Sequence, residues 1–285
     1  MPTLQLIDGR VLAWREFGDP NGRPVIAVHG SPDSSAIWAL FHDAAARCGL
    51  RVIAPDRPGV GGSTPLPGRS IVDWVDDLDA LTEHLNLKSY RVLAISGGSP
   101  YALASAWKHP NRVEHLGLVS VICPLHAPEV TRGANAQVRL TFWTARRAPL
   151  LLRPMAWMVV RLVVRDPARA ADRLIRMRPR ADRAIIRRPE VMTVLHENLP
   201  LQFKDADSIA LEMRNAARPW GFDLTTVSAP TTIWQGGLDD VHTPAMGRYL
   251  ASHLPNARLV FEQNRATFDL IADADTILHQ FASEP

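Results

Sequence analysis

The chain has 285 residues, 46% hydrophobic and 21% charged, with a formal net charge of +3. That length suits one large domain with an insertion, and the composition excludes a disordered or fibrous chain. The small net charge gives no argument for nucleic acid, and two cysteines, Cys48 and Cys123, are too few for a disulfide framework.

Met1–Gln5 contains no basic segment leading into an apolar run, so no secretion signal is expected and the expected location is cytoplasmic. Thr3–Ile7 and Val11–Phe17 read as an antiparallel hairpin closed at Asp8-Gly9. Pro24–Val28 is a buried strand running into His29-Gly30-Ser31-Pro32. A helix capped by Ser34 or Ser35 follows, with Ile37, Trp38, Phe41 and Ala45 on one face. The strand Arg51–Ala54 leads into the glycine-rich loop Asp56–Ser63. That loop matches neither phosphate-binding glycine pattern, since no lysine follows it and no helix opens from it. Ser70 and Asp73 form a capping box for a helix whose apolar stripe runs from Ile71 to Leu85. Next come the strand from Tyr90, a helix through Trp107, and the strand Leu116–Ile122. Strands alternating with helices imply a parallel sheet covered on both faces.

The alternation stops at Cys123. From Pro124 to about Trp220 only helical segments are predicted: Ala134–Ala145, Leu150–Val164, Ala168–Met177, Asp182–Arg187, Pro189–Glu197 and Ala206–Ala217. Strand pattern returns at Thr231–Trp234 and Arg258–Phe261. A helix around Met246–His253 lies between them, and a last helix runs from about Leu270 to Phe281. The organisation is therefore a core in two parts, residues 1–123 and 221–285, with a helical cap at 124–220.

The centre of the chain is Ala94-Ile95-Ser96-Gly97-Gly98. A strand that turns at once into a helix strains its corner residue and leaves room only for small side chains two positions to either side. It also lifts the serine hydroxyl clear of the sheet, beside the next backbone N–H. Ser99 fits this geometry less well, because Tyr101 stands two positions after it. This pentapeptide resembles the nucleophile elbow of the α/β-hydrolase superfamily, G-x-S-x-G, with alanine for the first glycine. The Asp56–Ser63 loop resembles the same superfamily's structural D-R-x-G-x-G-x-S loop, and His29–Pro32 resembles its HG-x-P oxyanion turn. The resemblance covers nearly the whole chain and is least specific in the cap. It implies an α/β-hydrolase fold of the capped serine hydrolase branch: a mostly parallel eight-stranded sheet, helices on both faces, and the cap inserted between the sixth and seventh strands.

The resemblance also implies site residues. Ser96 would be the nucleophile, with the backbone N–H groups of Ser31 and Gly97 as oxyanion donors and His29 ordering neighbouring loops. Asp239, three residues after Gly236, would be the acid, with Asp240 as the competing choice. The base should lie in the loop after the last strand, but residues 261–270 contain no histidine. Thr267 falls at the vacant position, with Ala266 as the alternative. Neither can accept a proton from serine, and losing a triad histidine costs roughly a million-fold in turnover. Restoring imidazole by Thr267→His is therefore expected to raise ester turnover. His242 and His126 are the substitute bases to consider. Both are expected on the wrong side to reach Ser96 while Asp239 holds the far ring nitrogen, which makes them pocket or surface residues.

The function implied is hydrolysis of an ester or related acyl compound, a small and apolar substrate. Three alternatives stay open: a protein that only binds, a lyase or cyclase needing no base, and an inactivated variant of a hydrolase. No cofactor and no metal are expected, because no ligand-spaced histidine, cysteine or acidic cluster occurs. Arginine is dense between Arg132 and Arg188, and Leu150–Val164 is strongly apolar. A solvated face, an anionic substrate and peripheral contact with an anionic membrane are the readings that composition allows. No nucleic-acid motif accompanies it. Oligomeric state has no sequence signal.

Overall fold

The computed structural model describes residues 1–125 and 128–284. Its sheet has eight strands: β1 (Thr3–Gln5), β2 (Val11–Gly18), β3 (Arg23–Val28), β4 (Leu50–Pro55), β5 (Tyr90–Ile95), β6 (Val113–Val119), β7 (Thr231–Gly236) and β8 (Ala257–Glu262). Their order is β1-β2-β4-β3-β5-β6-β7-β8. β1 and β2 pair antiparallel with their neighbours, and β3 to β8 are parallel. β5 is buried along its whole length, as expected of a continuous apolar run in a sheet covered on both faces.

The helices follow in chain order. The core carries α1 (His42–Arg47), α2 (Trp74–His84) and α3 (Ser99–Lys108). Between β6 and β7 lie α4 (Ala136–Arg147), α5 (Leu152–Arg165), α6 (Pro167–Arg176), α7 (Arg180–Ile186), α8 (Pro189–Gln202) and α9 (Ala206–Ala216). The core then resumes with α10 (Pro244–His253), α11 (Thr267–Ala272) and α12 (Ala274–Ser283). The α/β-hydrolase architecture expected from the sequence is therefore present. Two apolar clusters flank the sheet: one includes Trp74, Leu78 and Leu103, the other Trp38, Phe41 and Phe281.

Three details differ from expectation. The segment after Ser34 is a 3₁₀ helix, Ser35–Phe41, that passes into α1. β6 ends at Val119 rather than Ile122, because Ser120 takes a positive φ of 49° and turns the chain out of the sheet. The last helix is broken at Asp273, whose ψ of 44° leaves the helical region while its carboxylate pairs with Arg265 at 2.5 Å. α11 starts earlier than expected, at Thr267.

Candidate active site

Ser96 stands between β5 and α3 with φ 54°, a left-handed conformation uncommon for a residue with a side chain. Close packing around it explains the small residues. A Cβ on Gly98 would lie 2.5 Å from the carbonyl oxygen of Val28, and one on Gly97 would lie 2.7 Å from Ser31 Cβ. The second contact brings the Ser31 and Gly97 backbones together on one side of Ser96. Ser99 is buried and donates its hydroxyl to the Ser96 carbonyl at 2.7 Å, so it faces away from the cleft.

The main finding is at His242. Its Nε2 lies 2.6 Å from Ser96 Oγ. Its Nδ1 lies 2.9 Å from Thr267 Oγ1 and 3.4 Å from Asp239 Oδ2. The Thr267 hydroxyl in turn hydrogen-bonds Asp239 Oδ2. The expectation that His242 approaches from the wrong side is therefore incorrect, and Thr267, at the position without a histidine, stands between the His242 ring and Asp239. The reason is local. Asp239 Oδ1 accepts the backbone N–H groups of Val241 at 2.9 Å and His242 at 2.8 Å. That tight turn curls the loop after β7 and puts the side chains of residues 239 and 242 on the same side. A hydrogen bond from Gln235 Nε2 to the His242 carbonyl, 2.7 Å, holds the far end. An Asp-x-x-His spacing in a turn-forming loop was the sequence signal available for this.

Proton positions follow from the donor inventory. An ionised carboxylate only accepts, so Thr267 donates its one hydroxyl proton to Asp239. Its oxygen then accepts from Nδ1–H of His242, which leaves Nε2 to accept from the Ser96 hydroxyl. Burial alone would raise the Asp239 pKa, but His242 and Thr267 outweigh it and hold the carboxyl below its ordinary range. Asp240 turns the other way: its backbone carbonyl and side chain accept from Asn135, the cap residue of α4, at 2.9 and 3.2 Å. His126 lies outside the described residues.

His29 is fully buried, and its ring donates from Nδ1 to the Gly30 carbonyl at 2.9 Å and accepts the Arg57 N–H at Nε2, 3.1 Å. Burial, then the Arg57 charge, pushes its pKa well below the ordinary value, so it stays neutral and ties the His29–Pro32 turn to the Asp56–Ser63 loop.

Two acids from the α4–α9 block hydrogen-bond to segments that border this site, and neither was singled out in the sequence as a site residue. Glu212, on α9, accepts from the Ser31 hydroxyl, Arg69, Arg57 (3.0 Å) and Tyr101 (2.9 Å). Burial raises its pKa, but the two guanidinium groups prevail and keep it ionised. Asp182, on α7, accepts the N–H of Phe268 at 2.7 Å and of Asp269 at 3.2 Å. It thereby caps α11, whose own N-cap residue, Ala266, has no side chain to do so. Burial, then the nearby Asp239 charge, pushes Asp182 up to about 6.

Ser96, His242, Thr267 and the Gly30–Pro32 turn open onto a cavity of about 420 Å³. Its walls are mainly apolar, from Ile122 and Phe268 of the core and Leu152, Met155, Val159 and Met213 of α5 and α9. Asp33, whose carboxyl burial pushes up to about 6, and Arg178 are polar exceptions. Among the described residues no group of three or more histidine, cysteine or acidic side chains is placed to hold a metal.

A family model described as the alpha/beta hydrolase fold matches residues 23–271. The chain belongs to the α/β-hydrolase family. Among curated relatives it is 34% identical over 121 residues to a proline iminopeptidase of Arabidopsis thaliana, a match covering 41% of this chain and 31% of that protein. It is 31% identical over 147 residues to a probable proline iminopeptidase of Streptomyces coelicolor, covering 48% of this chain and 42% of that one. The chain thus spans less than half the length of these relatives. Two solved structures resemble it over nearly their full length. An enol-lactonase from Burkholderia xenovorans has a TM-score of 0.72 at 20% identity, covering 98% of both chains. A thermophilic esterase from Thermogutta terrifontis has a TM-score of 0.70 at 23% identity, covering 98% of this chain and 96% of that one. At such identity these likenesses show the fold alone.

Proposed function

We propose that this chain is a serine hydrolase whose base has moved: Ser96 is the nucleophile, His242 the general base, Asp239 the acid, and the Thr267 hydroxyl a bridge between the last two. The observation that carries the reading is the continuous chain of hydrogen bonds from Ser96 Oγ through His242 to Asp239. A serine hydroxyl needs such a base to attack at neutral pH. His242 takes the Ser96 proton as Oγ attacks the acyl carbon. The imidazolium then formed is stabilised through Nδ1–H, Thr267 and the Asp239 carboxylate, and the same proton passes to the leaving group. The N–H groups of Ser31 and Gly97 stabilise the oxyanion. Water repeats the sequence on the acyl-enzyme.

The substrate class proposed is an ester or related acyl compound with an apolar acyl group, supported by the mainly aliphatic walls of the cavity. The block at residues 124–220 acts as its cap. The contact between Ser96 and the His242 imidazole favours this reading over the base-free alternatives. The test is hydrolysis of p-nitrophenyl esters by the parent, Ser96→Ala and His242→Ala proteins. Both variants should lose turnover by several orders of magnitude, and a fluorophosphonate should label Ser96 in the parent. A folded His242→Ala protein with parental turnover would overturn the assignment.

A further inference from the structure

We infer that the outer face of α5 is a docking surface for an anionic lipid bilayer. Among the described residues, most of the large apolar side chains left in solvent lie between Leu140 and Met177. Leu150 is 89% exposed and Trp157 and Met158 are each 55% exposed, with Trp143, Leu151 and Leu162 also exposed. α5 is apolar on two opposite faces. Its inner face, with Leu152, Ala156 and Val163, is buried, and Leu152 and Ala156 border the substrate cavity. Its outer face carries Trp157, Met158 and Leu162 with Arg161 and Arg165 between them. A helix apolar all round is ordinarily covered, and a contiguous exposed apolar patch marks an interaction surface.

Charge says what covers it. From Arg132 to Arg188 there are fifteen arginines, no lysine, and only three acids. That is a surplus of twelve positive charges in a chain whose total is +3, so the remainder carries a surplus of nine negative ones. The molecule is therefore strongly polarised, and the field of an anionic surface would turn the cap toward it and the core away. Exposed Arg161 lies over the Trp157 ring, 5.1 Å from its centroid, and no ion pair holds Arg161 or Arg165 among the described residues. Arginine beside tryptophan and leucine on one helix face is the composition of an interfacial helix, with rings and aliphatic chains entering the headgroup region and guanidinium groups meeting phosphates. A second copy of the chain fits the patch less well, because a two-fold contact would bring the arginines of both copies together. No helix among the described residues is long and apolar enough to cross a membrane, so the contact is peripheral.

The inference does not depend on the hydrolase reading, because its test measures binding. The full chain is sedimented with vesicles of phosphatidylcholine alone and of phosphatidylcholine with phosphatidylserine. Binding to the anionic vesicles should be at least about tenfold stronger and should weaken as salt is added. Trp157→Ser with Met158→Ser, and separately Arg161→Ser with Arg165→Ser, should each reduce it by about tenfold. Hydrolysis of a soluble ester should stay unchanged, since none of these side chains lines the cavity. Equal or negligible sedimentation with both vesicle types would overturn the proposal, as would anionic binding indifferent to both pairs of substitutions. A dimer in sedimentation equilibrium that dissociates on Trp157→Ser with Met158→Ser would assign the patch to a second copy instead.

Discussion

Replacing Thr267 by valine tests whether its hydroxyl works or merely fills space. Valine keeps the branched shape at a site only 3% exposed, so the backbone of α11 should hold. Two hydrogen bonds disappear: the one accepted from His242 Nδ1 and the one donated to Asp239. The direct Nδ1–Oδ2 separation is 3.4 Å, too long for a good hydrogen bond, though a small shift could partly close it. A hydrogen bond to a charged group contributes about 1.5–3 kcal/mol. The interaction matters most when the imidazole carries the Ser96 proton, so most of that loss should appear in the barrier. The expected result is a fall in kcat of about 10- to 100-fold, with KM little changed. Thr267→Ser, which retains the hydroxyl, should stay within a few-fold of the parent. Stopped-flow ester hydrolysis with active-site titration separates rate per site from loss of folded protein. Parental turnover in the valine variant would refute the bridge. Equal losses in the serine and valine variants would refute it as well, since disturbed packing rather than the hydroxyl would then be the cause.

The revised geometry reverses one expectation: Thr267→His should lower turnover, because a second imidazole at a filled position would press against His242; a gain in ester hydrolysis would mean that His242 is idle. Gly97→Ala should reduce kcat by about 10²-fold or more, roughly the effect of losing one oxyanion donor, because the new Cβ would displace Ser31; an unimpaired variant in the same assay would exclude that pairing of backbones. Glu212→Ala leaves Arg57 and Arg69 buried without their counter-charge and should destabilise the protein by about 3–5 kcal/mol in urea denaturation. Asp182 titrates higher in the folded protein, at about 6, than its ordinary value of 3.8. Between roughly pH 4 and 6 the native state therefore keeps a proton that the unfolded chain has released, and stability falls as pH rises through that window. Asp182→Asn retains an acceptor oxygen for the Phe268 and Asp269 N–H groups without the buried charge. Its melting temperature should exceed the parent's above pH 6 by an amount equivalent to about 2–3 kcal/mol, and the two should converge near pH 4; a pH-independent difference would count against this role of the carboxyl.

How much could be read in advance varied with how local the signal was. The elbow was legible because steric exclusion acts within two residues of Ser96 and selects Ala94 and Gly98 directly. The sheet was legible because strands such as Val25–Val28 and Val92–Ile95 are apolar on both faces. The position of the imidazole was not. It depends on the Asp239 side chain capping two backbone N–H groups of its own loop, which a strand-end position alone does not reveal. Asp182 and Glu212 were hidden for a different reason. Each belongs to a helix whose spacing says nothing about which core loop it will meet, and the partners lie 86 and 181 residues away in sequence.

With His242 three residues after Asp239, one short loop would, in the proposed mechanism, supply both proton acceptor and counter-charge, while the segment after β8 would supply only a hydroxyl. The usual arrangement asks two independent loops to hold their register to within a fraction of an ångström. Here the relative placement of acid and imidazole is fixed by a ring of a few covalent bonds and two backbone hydrogen bonds. Drift of the C-terminal region would weaken the bridge through Thr267 but leave acid and imidazole on the same loop. Substitutions of the exposed Gln263 and Asn264 should therefore be tolerated more readily than in relatives whose imidazole sits there, whereas length changes should not, because the Glu262 and Arg265 carbonyls accept the N–H groups of Gly237 and Leu238 just before Asp239.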